Sequence, residues 1–152
     1  MRIVLSLAVL GAATFAATAA EAAVSKGSFT GTTAAKDPIG LTVGAGSRVT
    51  TLYFEGVHMT CTDKDEYDTL SGQYRMQAKG KFRIGSGGKF TVKKSKQGGA
   101  SAWTATGTFN AKGTRATGTL TIKQRYNVEN YLDPKGAVRC DSGKVKFTVT
   151  RR

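Results

Sequence analysis

The chain has few of the side chains on which catalytic and metal sites usually depend. It contains one histidine (His58), two cysteines and ten acidic residues among 152. No acidic residue lies between Thr69 and Val128. Two cysteines are too few for a disulfide-dense scaffold. Beyond residue 11 there is no long apolar run, whereas a membrane-spanning helix needs about 20 such residues, so we expect the rest of the chain to be soluble.

The N-terminus has the pattern of a secretory signal peptide. Met1 and Arg2 form a short basic region, residues 3–11 (IVLSLAVLG) are apolar, and residues 20–22 (AEA) fit an A-x-A cleavage site. We predict that residues 1–22 are a signal peptide and that residues 23–152 form a single domain. This domain is expected outside the cell or associated with the cell wall.

The two cysteines, Cys61 and Cys140, favour one disulfide, because exported proteins with an even, minimal cysteine count usually pair them. The bond would close a long loop and stabilise the fold by about 4 kcal/mol in the loop-entropy description. Metal binding is the weaker alternative, since only His58 could join the two thiols and a tetrahedral zinc site needs three or four ligands. No metal or cofactor is therefore predicted.

The charge is strongly positive and unevenly distributed. The net charge is +13, and loss of the signal peptide leaves it unchanged because one base and one acid are removed. The acid-free stretch contains twelve basic residues, and "GKFRIGSGGKFTVKKSK" (80–96) is its densest part. Such a field attracts anionic partners in a salt-dependent manner. The predicted polyanion-binding residues are Arg75, Lys79, Lys81, Arg83, Lys89, Lys93, Lys94 and Lys96.

Alternating apolar and polar residues predict an all-β protein. The alternation recurs in "IGLTV", "KFTVK", "WTATGTF", "ATGTLTI" and "KVKFTVT", and glycine-rich turns separate these segments. No stretch of ten residues has a convincing helical stripe. We predict an antiparallel β-sandwich or flattened barrel of about seven to nine short strands with one disulfide.

Two hairpins have a predicted register. Around residues 110–115, keeping apolar residues on one face pairs Phe109 with Ala116 and Trp103 with Ile122, and leaves threonines opposite one another on the other face. Around residues 85–88, the same rule pairs Ile84 with Phe90 and Phe82 with Val92. This second register sets Lys81 opposite Lys93, which costs a few tenths of a kcal/mol because like charges oppose each other.

The order of "GSFTG", Cys61, "GKF", "WTATGTF", "ATGTL" and "CDSGKVKFTV" resembles that of small uncharacterised secreted β-rich proteins of actinobacteria. The similarity covers nearly the whole chain after the signal peptide, and it consists mainly of glycines and core residues. It implies a β-sandwich and a Cys61–Cys140 bridge, and it implies no catalytic residue.

His58 is the only candidate for a general base. A serine hydrolase would pair it with Ser47 or Ser71, but no G-x-S-x-G motif is present. A histidine on a strand or loop edge near the disulfide is the favoured interpretation, and we predict that the protein is not an enzyme.

Two further motifs suggest ligands but do not match the known patterns. "DKDEYD" (63–68) has Asp68 at the sixth position and Tyr74 at the twelfth position, where a calcium-binding EF-hand loop needs glycine and glutamate. An irregular calcium site remains open, but a solvated acidic loop is favoured, and docking of this loop on the protein's own basic face is a further alternative. "GSGGK" lacks the first glycine of a phosphate-binding loop, and no helix follows it, so we interpret it as a hairpin turn.

Aromatic residues give one further candidate. Trp103 should lie in the core, whereas Tyr126 and Tyr131 are predicted to be more exposed. Their segment forms either a recognition loop or a strand extension with its own packing. Two rows of three threonines are expected on the outer face of the 101–122 hairpin, too few for a large flat recognition plane.

The sequence therefore predicts a non-enzymatic secreted module that binds anionic surfaces or polymers: a cell-wall phosphate polymer, an acidic polysaccharide or extracellular nucleic acid. A structural or protein-interaction domain without a ligand is the main alternative, and a small secreted hydrolase is a weaker one.

Overall fold

The computed structural model describes residues 24–62, 75–127, 129 and 131–152, and the backbone of residues 69–71. The predicted signal peptide and the acidic segment 63–68 lie outside these residues. The described chain forms eleven strands and two 3-10 turns, 86–88 and 97–99. The strands are β1 (Gly27–Thr33), β2 (Pro38–Gly44), β3 (Arg48–Phe54), β4 (His58–Cys61), β5 (Thr69–Ser71), β6 (Met76–Arg83), β7 (Lys89–Lys96), β8 (Ser101–Phe109), β9 (Arg115–Tyr126), β10 (Val138–Asp141) and β11 (Val145–Arg151).

All of these strands belong to one antiparallel sheet organised around β9. This strand, with twelve residues, pairs along one edge with β8 and along the other with β11 and then β10. The main path runs β7–β8–β9–β11–β1–β2–β3–β6. A branch of short strands, β10–β4–β5, extends from the C-terminal half of β9.

The sheet is curled, which brings its two terminal strands, β6 and β7, together. Ile84, just after β6, and Phe90 in β7 form one isolated antiparallel bridge. The predicted all-β antiparallel fold is confirmed, as a single curled sheet. Because one sheet folds around its own core, the architecture corresponds to the barrel-like alternative more closely than to two stacked sheets.

The core lies on the concave face, where the predicted alternation places the apolar side chains. Phe29, Leu41 and Leu52 follow one another in register across β1, β2 and β3, and all three are fully buried. Trp103 is 4% exposed and contacts the edge of the Phe54 ring at 5.0 Å between ring centroids. The prediction that Trp103 packs in the core is confirmed.

Glycines opposite aromatic residues make room for large rings within the sheet. Gly107 is the register partner of Phe90, and Gly118 is the partner of Phe147. A Cβ atom on Gly107 would lie 2.5 Å from Cζ of Phe90, so the ring occupies the space that a side chain would need. The many glycines of these strands are therefore a packing requirement as well as a source of turns.

The predicted register of the β8–β9 hairpin is confirmed. Phe109 pairs with Ala116 and Trp103 with Ile122. Asn110 fixes the turn, because its side-chain Oδ1 accepts hydrogen bonds from the backbone N–H groups of Thr114 at 2.9 Å and Arg115 at 3.1 Å.

The predicted register of the β6–β7 hairpin is wrong beyond its first pair. Ile84 and Phe90 do face each other, but β6 forms its ladder with β3, and β7 forms its ladder with β8. Lys93 is paired with Thr104, so the structure does not place Lys81 across from it. Sequence proximity favoured a local hairpin, whereas both strands gain longer ladders with other partners.

The predicted disulfide between Cys61 and Cys140 is confirmed. The two cysteines are buried and directly opposite in the β4–β10 ladder. Next to them, the backbone N–H of Arg139 donates to Oγ1 of Thr62 at 3.0 Å. The bond therefore fixes β4 to β10 within the short branch β10–β4–β5, and the β9–β10 ladder joins this branch to the rest of the sheet.

Candidate polyanion-binding surface

Seven of the eight predicted polyanion-binding residues lie on the two strands at the ends of the curled sheet. β6 carries three and β7 carries four, and every one of these side chains is exposed. We call this set the basic seam, because it flanks the opening between β6 and β7. Its members are Lys79, Lys81, Arg83, Lys89, Lys93, Lys94 and Lys96.

Because residues alternate between the two faces of a strand, the position of each basic residue determines the face on which its side chain lies. Phe90 and Val92 are buried, so Lys89 and Lys93 lie on the outer face of β7. Lys94 has the same parity as the buried pair and is the register partner of Trp103. It is nevertheless exposed, as is every residue of β7 after Val92.

Arg48 is a further member of the basic surface that sequence reasoning missed. It is exposed at the start of β3, directly opposite Arg83 in the β3–β6 ladder. Paired residues of a ladder project to the same face, so two arginines lie side by side there. Arg48 is outside the acid-free stretch, and only the non-local β3–β6 pairing reveals its proximity to Arg83.

The basic seam forms no salt bridge with any carboxylate among the residues that the structure describes. Within that part of the chain, the ion pairs join Arg75 to Glu55 at 3.6 Å and Lys123 to Asp141 at 3.5 Å. Both pairs lie outside the seam. The seam charges are therefore exposed and have no carboxylate partner among the described residues.

Arg75, the eighth predicted residue, has a different environment. Its guanidinium lies over the ring of Tyr53, 3.9 Å from the centroid, and its Nε faces Glu55. Tyr53 in turn lies opposite Gly40 in the β2–β3 ladder. Arg75 adjoins the start of β6, whereas Arg83 ends that strand. The structure therefore separates Arg75 from the rest of the predicted set.

A shallow, open cavity of about 450 Å³ lies at the seam, beside the Ile84–Phe90 bridge. Its apolar part is formed by the half-buried Phe82 and the buried Phe90. Arg83 and Lys89 contribute cations, and Thr91 contributes a hydroxyl group. The cavity therefore has two cations and a hydroxyl group beside aromatic rings.

Threonines cover the neighbouring outer face more extensively than the sequence predicts. The predicted pairs Thr104–Thr121, Thr106–Thr119 and Thr108–Thr117 are confirmed. The Thr108–Thr117 pair is extended across the sheet by Thr148 of β11 and Thr32 of β1 on one side, and by Lys89 of β7 on the other. A shallow depression of about 310 Å³ is lined by several of these threonines. Two of them, Thr106 and Thr119, are joined by a hydrogen bond of 3.0 Å between their hydroxyl groups.

The two tyrosines of the predicted binding loop have different environments. Tyr131 is 66% exposed, and its backbone N–H donates to Oδ1 of Asn127 at 3.1 Å. Tyr126 ends β9, is only partly exposed, and donates its hydroxyl hydrogen to Oε1 of Gln124. Burial raises the pKa of the Tyr126 phenol above its ordinary value. Tyr131 is displayed to solvent, whereas Tyr126 belongs to a polar cluster in which Gln124 also donates to Ser101 at 3.2 Å.

His58 is exposed near the disulfide, in β4, and its backbone is the register partner of Ser71. The other serine considered, Ser47, lies in the turn before β3 and accepts a backbone hydrogen bond from Ile84 at 3.1 Å. Among the described residues, no cluster of three or more histidine, cysteine or acidic residues could hold a metal ion. The segment proposed for calcium, 63–68, lies outside those residues.

Comparisons of the chain with protein families, with curated proteins and with solved structures find no match. No helix among the described residues is both long and apolar enough to cross a membrane. The geometry of the basic seam is therefore the main basis for a functional proposal.

Proposed function

We propose that the protein is a secreted, non-enzymatic module that binds anionic surfaces or polymers. The observation that carries this proposal is the basic seam. It has seven exposed cations along β6 and β7, with no carboxylate partner among the described residues. A cell-wall phosphate polymer, an acidic polysaccharide and extracellular DNA share the repeated negative charge that such a surface recognises.

Export is supported by the leader-like N-terminus and by the Cys61–Cys140 disulfide, since such bonds persist mainly in oxidising compartments. Outside the cell, the protein meets cell-wall and matrix polymers, so an exported basic module and an anionic polymer occupy the same compartment. Lysines suit this role because each acts as a flexible point charge and demands no fixed ligand geometry.

The test compares two triple variants with equal net charge on immobilised heparin and on teichoic acid. The seam variant carries Lys81→Glu, Arg83→Glu and Lys93→Glu. The control variant carries Lys112→Glu, Lys135→Glu and Lys144→Glu, which are exposed positions outside the two seam strands. We expect the wild type and the control to be retained at low salt and the seam variant to pass through or elute much earlier.

Two results would contradict the proposal. If the wild type passes through both columns unretained, the surface does not bind polyanions. If the two variants elute at the same salt concentration, only total charge matters and the seam has no special role. Circular dichroism and the melting temperature of each variant establish that the comparison is made between folded proteins.

A further inference from the structure

The strands β6 and β7 each have only one ladder partner among the described residues. β6 pairs with β3, β7 pairs with β8, and the two strands meet only at the Ile84–Phe90 bridge. Beyond that bridge, β6 and β7 each have one edge without a ladder partner among the described residues. A strand edge without a neighbour presents backbone N–H and C=O groups that an additional strand can pair with.

The charges at this edge determine which strand can add to it. Lysines on edge strands oppose pairing with a second copy of the same basic surface, because like charges would lie opposite each other. A strand with acidic side chains meets no such repulsion, and it supplies the carboxylates that the basic seam lacks among the described residues. Charge complementarity therefore selects an acidic polypeptide and disfavours a second copy of this chain.

We propose that the free edge of β7 binds an extended acidic peptide by strand addition. Lys89 and Lys93 lie on the outer face of β7, and Phe90 and Val92 lie on the inner face. Paired residues in a ladder project to the same side, so the ligand carries acidic residues at every second position and apolar residues between them. At the end of the added strand nearest the bridge, an apolar side chain contacts the cavity that Phe82 and Phe90 line.

This inference goes beyond the proposed polyanion binding, because it assigns a polypeptide partner and a backbone-directed mode of recognition. A polysaccharide or a nucleic acid neutralises the lysines but has no row of amide groups at the spacing of about 3.4 Å per residue that a strand edge requires. The two proposals therefore differ in one measurable property, the dependence of binding on the ligand's backbone N–H groups.

The experiment uses a peptide of alternating glutamate and valine with the length of the part of β7 beyond the bridge, Thr91 to Lys96. Two analogues carry backbone N-methyl groups, one at all glutamates and the other at all valines. In an antiparallel ladder, only every second residue of an added strand donates its N–H to the neighbouring edge. We expect one analogue to bind like the parent peptide and the other to bind at least about tenfold more weakly, measured by titration calorimetry on the full-length protein.

A paired set of protein variants locates the site. Lys89→Glu combined with Lys93→Glu should abolish binding of the parent peptide, whereas Lys112→Glu combined with Lys144→Glu should leave it unchanged. In NMR spectra, amide exchange should slow for residues of β7 when the parent peptide binds. Protection confined to another strand contradicts the assignment to β7.

The outcomes separate this inference from the proposed function. If heparin is retained but both methylated peptides bind like the parent, or no peptide binds, strand addition is wrong and polyanion binding stands. If one methylated peptide loses binding while heparin passes through unretained, strand addition stands and the polyanion proposal fails.

Discussion

Ile84 and Phe90 face each other across a single antiparallel bridge, and they form the only described backbone pairing between the strands that end the main sheet path. The chain reverses between them through a short turn, in which the N–H of Gly85 donates to the carbonyl oxygen of Lys89 at 2.8 Å. The reversal is local, yet it does not continue into a hairpin ladder. The curled sheet therefore comes together at this one point and opens into the basic seam beyond it.

Removal of the disulfide should destabilise one branch of the sheet first. The double variant Cys61→Ser, Cys140→Ser loses a bond between residues 79 positions apart. We expect the free energy of unfolding to fall by about 2–5 kcal/mol. Hydrogen exchange should accelerate most in β4, β5 and β10, because the bond joins β4 to β10 and β5 pairs with β4. An equal acceleration in all eleven strands would contradict this local role.

The glycines opposite aromatic rings should not tolerate a methyl group. In Gly118→Ala the new Cβ would collide with the carbonyl oxygen of Thr106, and in Gly107→Ala it would collide with the Phe90 ring. Each change should lower the free energy of unfolding by about 1–3 kcal/mol, as overpacking does elsewhere. Gly85→Ala is the matched control, because its nearest atom, the carbonyl oxygen of Lys89, is 3.8 Å away and its backbone is extended. Denaturant unfolding curves that coincide for the three variants would contradict this explanation.

Tyr126 should make stability depend on pH in the alkaline range. Burial raises its pKa in the folded protein, so the unfolded chain loses this proton at a lower pH than the folded protein does. The stabilisation is complete below the ordinary tyrosine pKa of about 10 and is lost as pH rises through the raised value. We expect Tyr126→Phe to show a shallower decline of the free energy of unfolding in this range. All other ionisable groups are the same in both proteins, so the difference between the two curves isolates Tyr126.

Arg75 should contribute less to polyanion binding than Arg83 does, although both are exposed arginines. Arg75 is held by Tyr53 and Glu55, whereas Arg83 lines the seam cavity. We expect Arg83→Gln to lower the salt concentration needed to elute the protein from heparin more than Arg75→Gln does, with the same loss of charge. Equal shifts would show that the two positions are equivalent. Arg75→Gln should also cost about 0.5–1 kcal/mol of stability through the lost cation–π contact.

Local sequence patterns predict well where the partners are close in the chain. The β8–β9 register follows from the alternation of Trp103 and Phe109 with Ala116 and Ile122, because a one-residue slip would move all the apolar side chains to the outer face. The same rule fails for Lys81 and Lys93, because it assumes that neighbouring segments are partners. β6 pairs instead with β3, more than twenty residues earlier in the chain, and no local pattern specifies that choice.

The candidate site likewise combines features that the sequence predicts with features that only the fold produces. Exposure of the seam lysines follows from strand parity, which the sequence contains. The proximity of Arg48 to Arg83 and the partnership of Arg75 with Tyr53 arise from the β3–β6 ladder and its surroundings.

By itself the sequence determined the all-β class, the inward positions of the core side chains, the Cys61–Cys140 pair and the concentration of positive charge, because alternation and composition act over a few residues. Only the tertiary structure decided that β6 and β7 end a single curled sheet and share one bridge, Ile84–Phe90, in place of a ladder. Ladder partners are selected by the total packing and hydrogen bonding of distant segments, so the opening that carries both proposals exists only in the folded chain.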